Sequence, residues 1–494
     1  MKKFYLFLFF LFLYFFLGIW LTYANDIIIN VPWDLVYNLD SGRVLSSNSF
    51  PFDKWGTGFD KHPFTIIFVI PIIHLFNNLF NSTILGLLFT QAVFASLSVC
   101  VVNSILSLIS DKTKINFLLT LIYGFSYTML IFSSLPEDYI YMAFFVALNL
   151  FYVIKLFIDE TLSRLNFKQI FILTFLLFLC FSVNFIYFLV NFIIIIFLLI
   201  SIYKKNTLKI FFDFLKIFSL FIFFVFCFSI LHFYVYKHTS IFLFIFDKTL
   251  LSNVFEFHKS ELLQERYFSE IQILKFFLRE FLVDPFYSLT SSKLPALWLP
   301  LKQWWDFVEK QNFILLIPII VLFLSSIIYF IKNYKKYSYK NLILLIFILL
   351  LFFAILYYMY LPRYCFLYSA NHFIYIVFLL GILMSQCTNG FFIFLCSSFL
   401  VFQIVNNFYN LHLLQDFLRS LSSEIFDMAI IMQKTFIIFI WIILFLFLFN
   451  RYVQIDKLKE KISSVKFDNK FLIGIVLYLC FIILYNFYFI IIRM

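Results

Sequence analysis

Carboxylates and cations are scarce in this chain, and where they gather they define the chemistry open to it. The segment from Asn25 to Phe64 holds Asp26, Asp34, Asp40, Asp53 and Asp60 with Arg43, Lys54, Lys61 and His62, between stretches made almost wholly of Phe, Ile and Leu. Further on, Glu137 and Asp138 close the short polar turn Ser133–Asp138, and Arg363 sits in Leu361-Pro362-Arg363-Tyr364. A carboxylate within hydrogen-bond reach of a hydroxyl can take its proton. A guanidinium grips a phosphate through two parallel hydrogen bonds, and positive charge stabilises a departing phosphate. An acid from the first polar loop, an acid from the 133–138 turn and Arg363 can meet only in a folded bundle. Together they would make a general base with a cationic clamp for a phosphate.

The elements that must position these residues are helices in a membrane. Hydrophobic residues make up 64% of the 494 and charged residues only 13%, with a mean hydropathy of +1.00. Soluble domains are about half apolar and a quarter charged. The apolar runs are long and repeated, about the 20 residues that a helix needs to cross roughly 30 Å of hydrocarbon. They do not alternate apolar with polar, which excludes a β-barrel. The fold class is therefore an all-α polytopic membrane protein. Its net charge of +11 lies mostly in short clusters between apolar runs, which is a topology signal and not a nucleic-acid footprint. The 80 Phe residues read as a composition bias and as lipid-facing side chains. Seven cysteines without a CxxC, nearly all within or beside apolar runs, point to neither a disulfide framework nor a zinc site.

Lys2 and Lys3 precede a first apolar run from Phe4 to about Tyr23. It is longer than the 7–15 residues usual for the apolar region of a signal peptide and reads as a retained helix with a cytoplasmic N-terminus. Further spans are expected at 84–110, 115–133, 139–157, 168–184, 186–203, 210–235, 312–331, 341–361, 364–384, 390–408, 432–450 and 470–491. The run 64–80 decides the topology. If it crosses, Lys112, Lys114, Lys204, Lys205, Lys209, Lys332, Lys335, Lys336, Lys340 and the Arg451–Lys470 segment all face outward; if it lies embedded in the outer leaflet, all are cytoplasmic. The positive-inside rule selects the second arrangement. That gives about 13 transmembrane helices in three parts: 1–235 with an outer loop at 24–63 and an embedded helix at 64–80, an extracytoplasmic interfacial segment at 236–311, and the helices of 312–494. The interfacial segment carries Trp298, Trp304 and Trp305, which suit the headgroup level. A bacterial inner membrane fits the composition.

Each candidate has a plainer account. Asp34 can be a helix N-cap or a solvated acid. Asp40, the alternative base, can pair with Arg43 at i,i+3 spacing. Lys61 and His62 can be interfacial, and Glu137 or Asp138 can favour the N-terminus of the following helix. Arg363 can snorkel. Asn103, Asn149, Asn184, Asn191 and His232 are expected to hydrogen-bond between helices.

The stretch Asp34-Leu-Val-Tyr-Asn-Leu-Asp40-Ser-Gly-Arg43, with Phe59-Asp60-Lys61-His62-Pro63-Phe64, resembles the first outer loop of the GT-C glycosyltransferases. The likeness is to the branch of the protein O-mannosyltransferases and lipid A aminoarabinose transferases. The resemblance implies a GT-C-like bundle with extracytoplasmic interfacial helices that transfers a sugar from a polyprenyl-phosphate donor to a glycan, lipid or protein acceptor, with membrane lipids as the other partners and no nucleic acid. It implies that Asp34 is the base, or holds a metal, and that Lys61, with His62 beside it, meets the donor phosphate. It places Arg43 on the helix after the loop Asp, Glu137 as the acid closing the second outer loop, and Arg363 as the late arginine facing the lipid phosphate. Some members use a divalent cation and others none. The chain departs from the pattern at Leu35, where many relatives carry a second acid, and at His62 and Phe64, which break the double proline.

Overall fold

The computed structural model describes residues 2–23, 65–159, 162–184, 186–204, 206–236, 279–283, 285–286, 317–336, 340–360, 369–387 and 390–421. Among these residues every regular element is helical. Five helices are long and apolar enough to cross a membrane: Lys3–Tyr23, Thr83–Ile109, Tyr139–Ile158, Thr207–Leu231 and Gly390–Asp416. The bent pair Thr113–Gly124 with Tyr127–Ser134 makes a sixth. The spans expected at 432–450 and 470–491 lie outside the described residues.

In chain order the helices are α1 (Lys2–Gly18, prolonged by a π turn Ile19–Tyr23), α2 (Thr65–Phe68), α3 (Ile70–Phe80), α4 (Thr83–Ile109) and α5 (Thr113–Gly124). Next come α6 (Tyr127–Ser134), α7 (Tyr139–Ile158), α8 (Phe167–Val183), α9 (Tyr187–Tyr203) and α10 (Thr207–Tyr236). A second π turn, Arg279–Val283, precedes α11 (Ile317–Asn333), α12 (Lys340–Tyr360), α13 (Ser369–Met384) and α14 (Gly390–Leu421). Polar side chains mark several starts, as helix N-termini with orphan N–H groups require. Ser82 accepts from Leu85 N and Ser126 from Met129 N, while Asn166 and Gln169 form a reciprocal capping box.

α4 is the hub. Its small residues Ala92, Ala95, Ser96 and Ser98 are buried and let α1 and α7 approach closely. α1 and α4 run antiparallel: Lys3 Nζ donates to Ser104 Oγ (2.9 Å) near one end, and Gly18 packs on Leu88 near the other. The end of α1 and the start of α4 therefore share one end of the bundle. At the opposite end Ser110 Oγ donates to Ser385 O (3.0 Å), joining the tails of α4 and α13. α3 folds back on α4 through Asn81, whose φ of 49° is left-handed. Here the helices almost touch, because Gly86 lies directly against Asn77.

The sequence predicts one span over 115–133. The structure breaks it at Phe125–Ser126 and bends it by 47°, because Gly124 ends α5 and Ser126 opens a new helix, a Gly/Ser break of the usual kind. Tyr14 OH donates to the carbonyl of Gly124 (2.7 Å, buried). Tyr14→Phe leaves that carbonyl without its donor in an apolar core, at a cost of about 1–2 kcal/mol. The thermal midpoint in detergent is expected to fall clearly for Tyr14→Phe and to stay put for Tyr5→Phe, since Tyr5 is 44% exposed.

Two further departures matter for the site. The sequence places 236–311 on the outer surface, but its described part enters the bundle: Phe286 is fully buried and meets Phe323, Phe373 and Phe399 edge-on. The sequence also ends the span of α14 at 408, whereas the helix runs to Leu421. Leu411, Leu414 and Leu418 continue its buried stripe.

Candidate functional site

The acids Glu137 and Asp138 lie at the end of the bundle where α1 stops and α4 begins. The turn that carries them is held from three sides. Thr22 Oγ1, at the end of α1, donates to Ser134 O (2.7 Å). Gln91 Nε2, from within α4, donates to Leu135 O (3.1 Å) and to Glu137 O (2.8 Å). These bonds satisfy carbonyls that the end of α6 leaves open. Ser134 and Ser133 hydroxyls turn back onto α6 itself, both reaching Leu130 O.

Both carboxylates are out of contact with solvent: Glu137 is 1% exposed and Asp138 4%. Glu137 Oε1 accepts from Asp138 N (3.0 Å). Asp138 occupies the N-cap position of α7 but makes no side-chain capping bond, so the plain capping account does not describe it. Its Oδ2, together with Tyr141 OH and Gln91 Oε1, is buried with no hydrogen-bond partner among the described residues. Tyr141 lies close enough to interact electrostatically with both acids, and its ring packs edge-on against Phe94 (5.1 Å). The dipole at the N-terminus of α7 favours negative charge here, while the C-terminus of α6 opposes it. The acceptors Asp138 Oδ2 and Gln91 Oε1, without donors among the described residues, and the Tyr141 hydroxyl are groups that a proton, a cation or a substrate hydroxyl can meet.

Of the other residues chosen from sequence, Asp34, Asp40, Arg43, Lys61, His62 and Arg363 lie outside the described residues, as does the His232 side chain. Tyr23, where the chain leaves α1 for the 24–63 loop, follows Thr22 directly. α13, which follows the Arg363 turn, begins at Ser369, whose Oγ is 2.8 Å from Thr128 Oγ1 in α6. The chain thus leaves the bundle at Thr22, beside the end of α6 next to the acids, and re-enters it at Ser369, beside the other end of α6.

No family model, curated protein or solved structure matches the chain.

Among the described residues no group of three or more His, Cys, Asp or Glu side chains is placed to hold a metal ion; Glu137 and Asp138 offer two carboxylates. Sequence reasoning missed Gln91, Thr22, Gln403 and Asn407, which hold the acid turn and the break in α5–α6. A signal was present, since isolated amides in apolar spans seek interhelical partners. The expected bonders fared unevenly. Asn103 Oδ1 accepts from Thr120 across α4 and α5, and Asn191 Nδ2 donates to Leu177 O across α8 and α9. Asn184 instead serves its own turn, accepting from Ile186 N, and Asn149 Oδ1 has no partner among the described residues.

Proposed function

We propose that this protein is an integral-membrane glycosyltransferase of the GT-C type. In this reading about 13 spans, with a cytoplasmic N-terminus in a bacterial inner membrane, carry a site on the extracytoplasmic face. The donor is a polyprenyl-phosphate sugar and the acceptor an envelope glycan, lipid or protein. The observation that supports it best is the buried Glu137–Asp138 pair at the bundle end from which the 24–63 loop departs. The motif resemblance of that loop supplies the rest.

In this mechanism Asp34, or Asp40 in its stead, takes the proton of the acceptor hydroxyl, which attacks the anomeric carbon. The bond to the lipid phosphate breaks with inversion, and Arg363 and Lys61, assisted by His62 and Arg43, stabilise the leaving phosphate. Glu137 orients the acceptor. Where a divalent ion takes part, carboxylates are the ligands such a hard cation prefers.

A second reading is a flippase or polymerase component for lipid-linked glycans. The break in α5–α6 favours it, since interrupted spans line substrate paths in transporters. The transferase and the flippase differ in where donor lipid accumulates when the protein is deleted. A transferase leaves a polyprenyl-phosphate monosaccharide in the outer leaflet, open to membrane-impermeant periodate. A flippase leaves it inside, protected. Periodate protection of the accumulated lipid would sink the transferase reading.

A further inference from the structure

α6 has eight residues, all of them buried, so it is displaced as a unit. Its far end carries the turn with Glu137 and Asp138. Its near end is grasped by groups from two distant parts of the chain. Tyr127 N donates to Phe286 O (3.1 Å) and Thr128 N to Pro285 O (3.2 Å). The inserted 285–286 turn therefore supplies the carbonyls that the first N–H groups of α6 need.

Two amides from α14 close the same knot. Gln403 Nε2 donates to Phe286 O (2.8 Å) and to Ile122 O (3.0 Å). Asn407 Nδ2 donates to Phe286 O (2.9 Å) and to Phe125 O (2.9 Å). At i,i+4 spacing they share one helix face, and both are fully buried. Between them they join the end of α5, the inserted turn and the start of α6, and so hold the angle at which α6 leaves the break.

We propose that Gln403 and Asn407 are positioning residues for the Glu137–Asp138 pair, acting through α6. An eight-residue helix is a rod of about 12 Å. A tilt of about 5° at its base moves its tip by about 1 Å, a misplacement that costs a site on the order of 100-fold in rate. Thr22 and Gln91 hold the tip, and Gln403 and Asn407 set the base. The proposal requires the acid pair to be a site of defined geometry and does not depend on the reaction being sugar transfer.

The test uses the full-length protein in native membranes. The rate at which dicyclohexylcarbodiimide modifies Glu137 and Asp138 is read residue by residue by mass spectrometry. Gln403→Met and Asn407→Leu keep side-chain volume and remove the donors. Asn191→Leu is the reference, because it removes a buried interhelical bond of 2.9 Å between α8 and α9. The two α14 variants are expected to shift acid labelling by roughly fivefold, the factor one hydrogen bond is worth, with Asn191→Leu at the wild-type rate. Equal rates in all four proteins, or an equal shift in the reference, would overturn the proposal. If either α14 variant fails to reach the membrane, Asn407→Thr, a smaller change that also loses the reach to Phe286 O, replaces it under the same two outcomes. Labelling reports the position of the carboxylates, so it can succeed where an assay of sugar transfer fails.

Discussion

On the proposed reading, Glu137→Gln is expected to lower sugar transfer by about 100-fold, the loss that follows when an acceptor is no longer held in position, while leaving the protein as stable as wild type or more so. The two halves of that expectation have one cause. Glu137 and Asp138 are adjacent and almost wholly buried, and a carboxylate charge at such a place is held against a desolvation cost. Gln keeps the shape and keeps an oxygen for Asp138 N, which Glu137 Oε1 now serves at 3.0 Å. It removes the charge. A residue retained for packing would show the opposite pattern, losing stability with no special loss of activity. Opposed signs are the mark of a site kept at the expense of stability. Asp138→Asn is expected to behave alike, and the thermal midpoint in detergent beside the glycan yield of complemented cells separates the accounts. Unchanged yield from both variants would reduce the pair to structure.

Gly86→Ala carries the largest expected effect on the fold. A β-carbon at Gly86 would stand 2.0 Å from the Asn77 amide head and 2.4 Å from the Asn77 backbone nitrogen. A side-chain tip can swing aside, but backbone cannot, so α3 and α4 must part. The Asn77 amide, turned to donate to Ile73 O and Thr83 O (3.1 and 2.9 Å), would lose its seat as well. Overpacking of this kind costs typically 1–3 kcal/mol and more where backbone is struck; about 3 kcal/mol is the expected size. Gly390→Ala, where a β-carbon meets open space, should be neutral. Thermal unfolding of both variants in the same detergent checks the contrast, and equal midpoints would refute the close approach.

Much of the helical framework is legible in the sequence because lipid imposes a simple rule of length and apolarity. Thr83–Ile109 against an expected 84–110 and Tyr139–Ile158 against 139–157 differ by one residue at an end, whereas Phe167–Val183, expected as a span over 168–184, is a shorter apolar helix. The rule fails where side chains replace hydropathy as the cause. Phe125–Ser126 lies in an apolar run, so only the Gly124 and Ser126 pair hints at the break. The entry of Pro285 and Phe286 into the core depends on Gln403 and Asn407, more than a hundred residues away, and no local pattern announces it. Of the site, Glu137 is readable as an acid in a short polar turn. Its burial and the grip of Gln91 and Thr22 were not, since they arise only when α1, α4 and α6 meet. The roles of Asp34, Lys61 and Arg363 rest on the motif resemblance.

The most direct test of the central claim is the envelope glycan and glycolipid profile, by mass spectrometry, of a deletion strain complemented with wild type or with Asp34→Asn. The account predicts that wild type restores a species one sugar larger than the deletion makes, and that Asp34→Asn protein, present in the membrane at equal level, restores none of it. A profile that the wild-type gene leaves identical to the deletion would contradict the assignment as a glycosyltransferase.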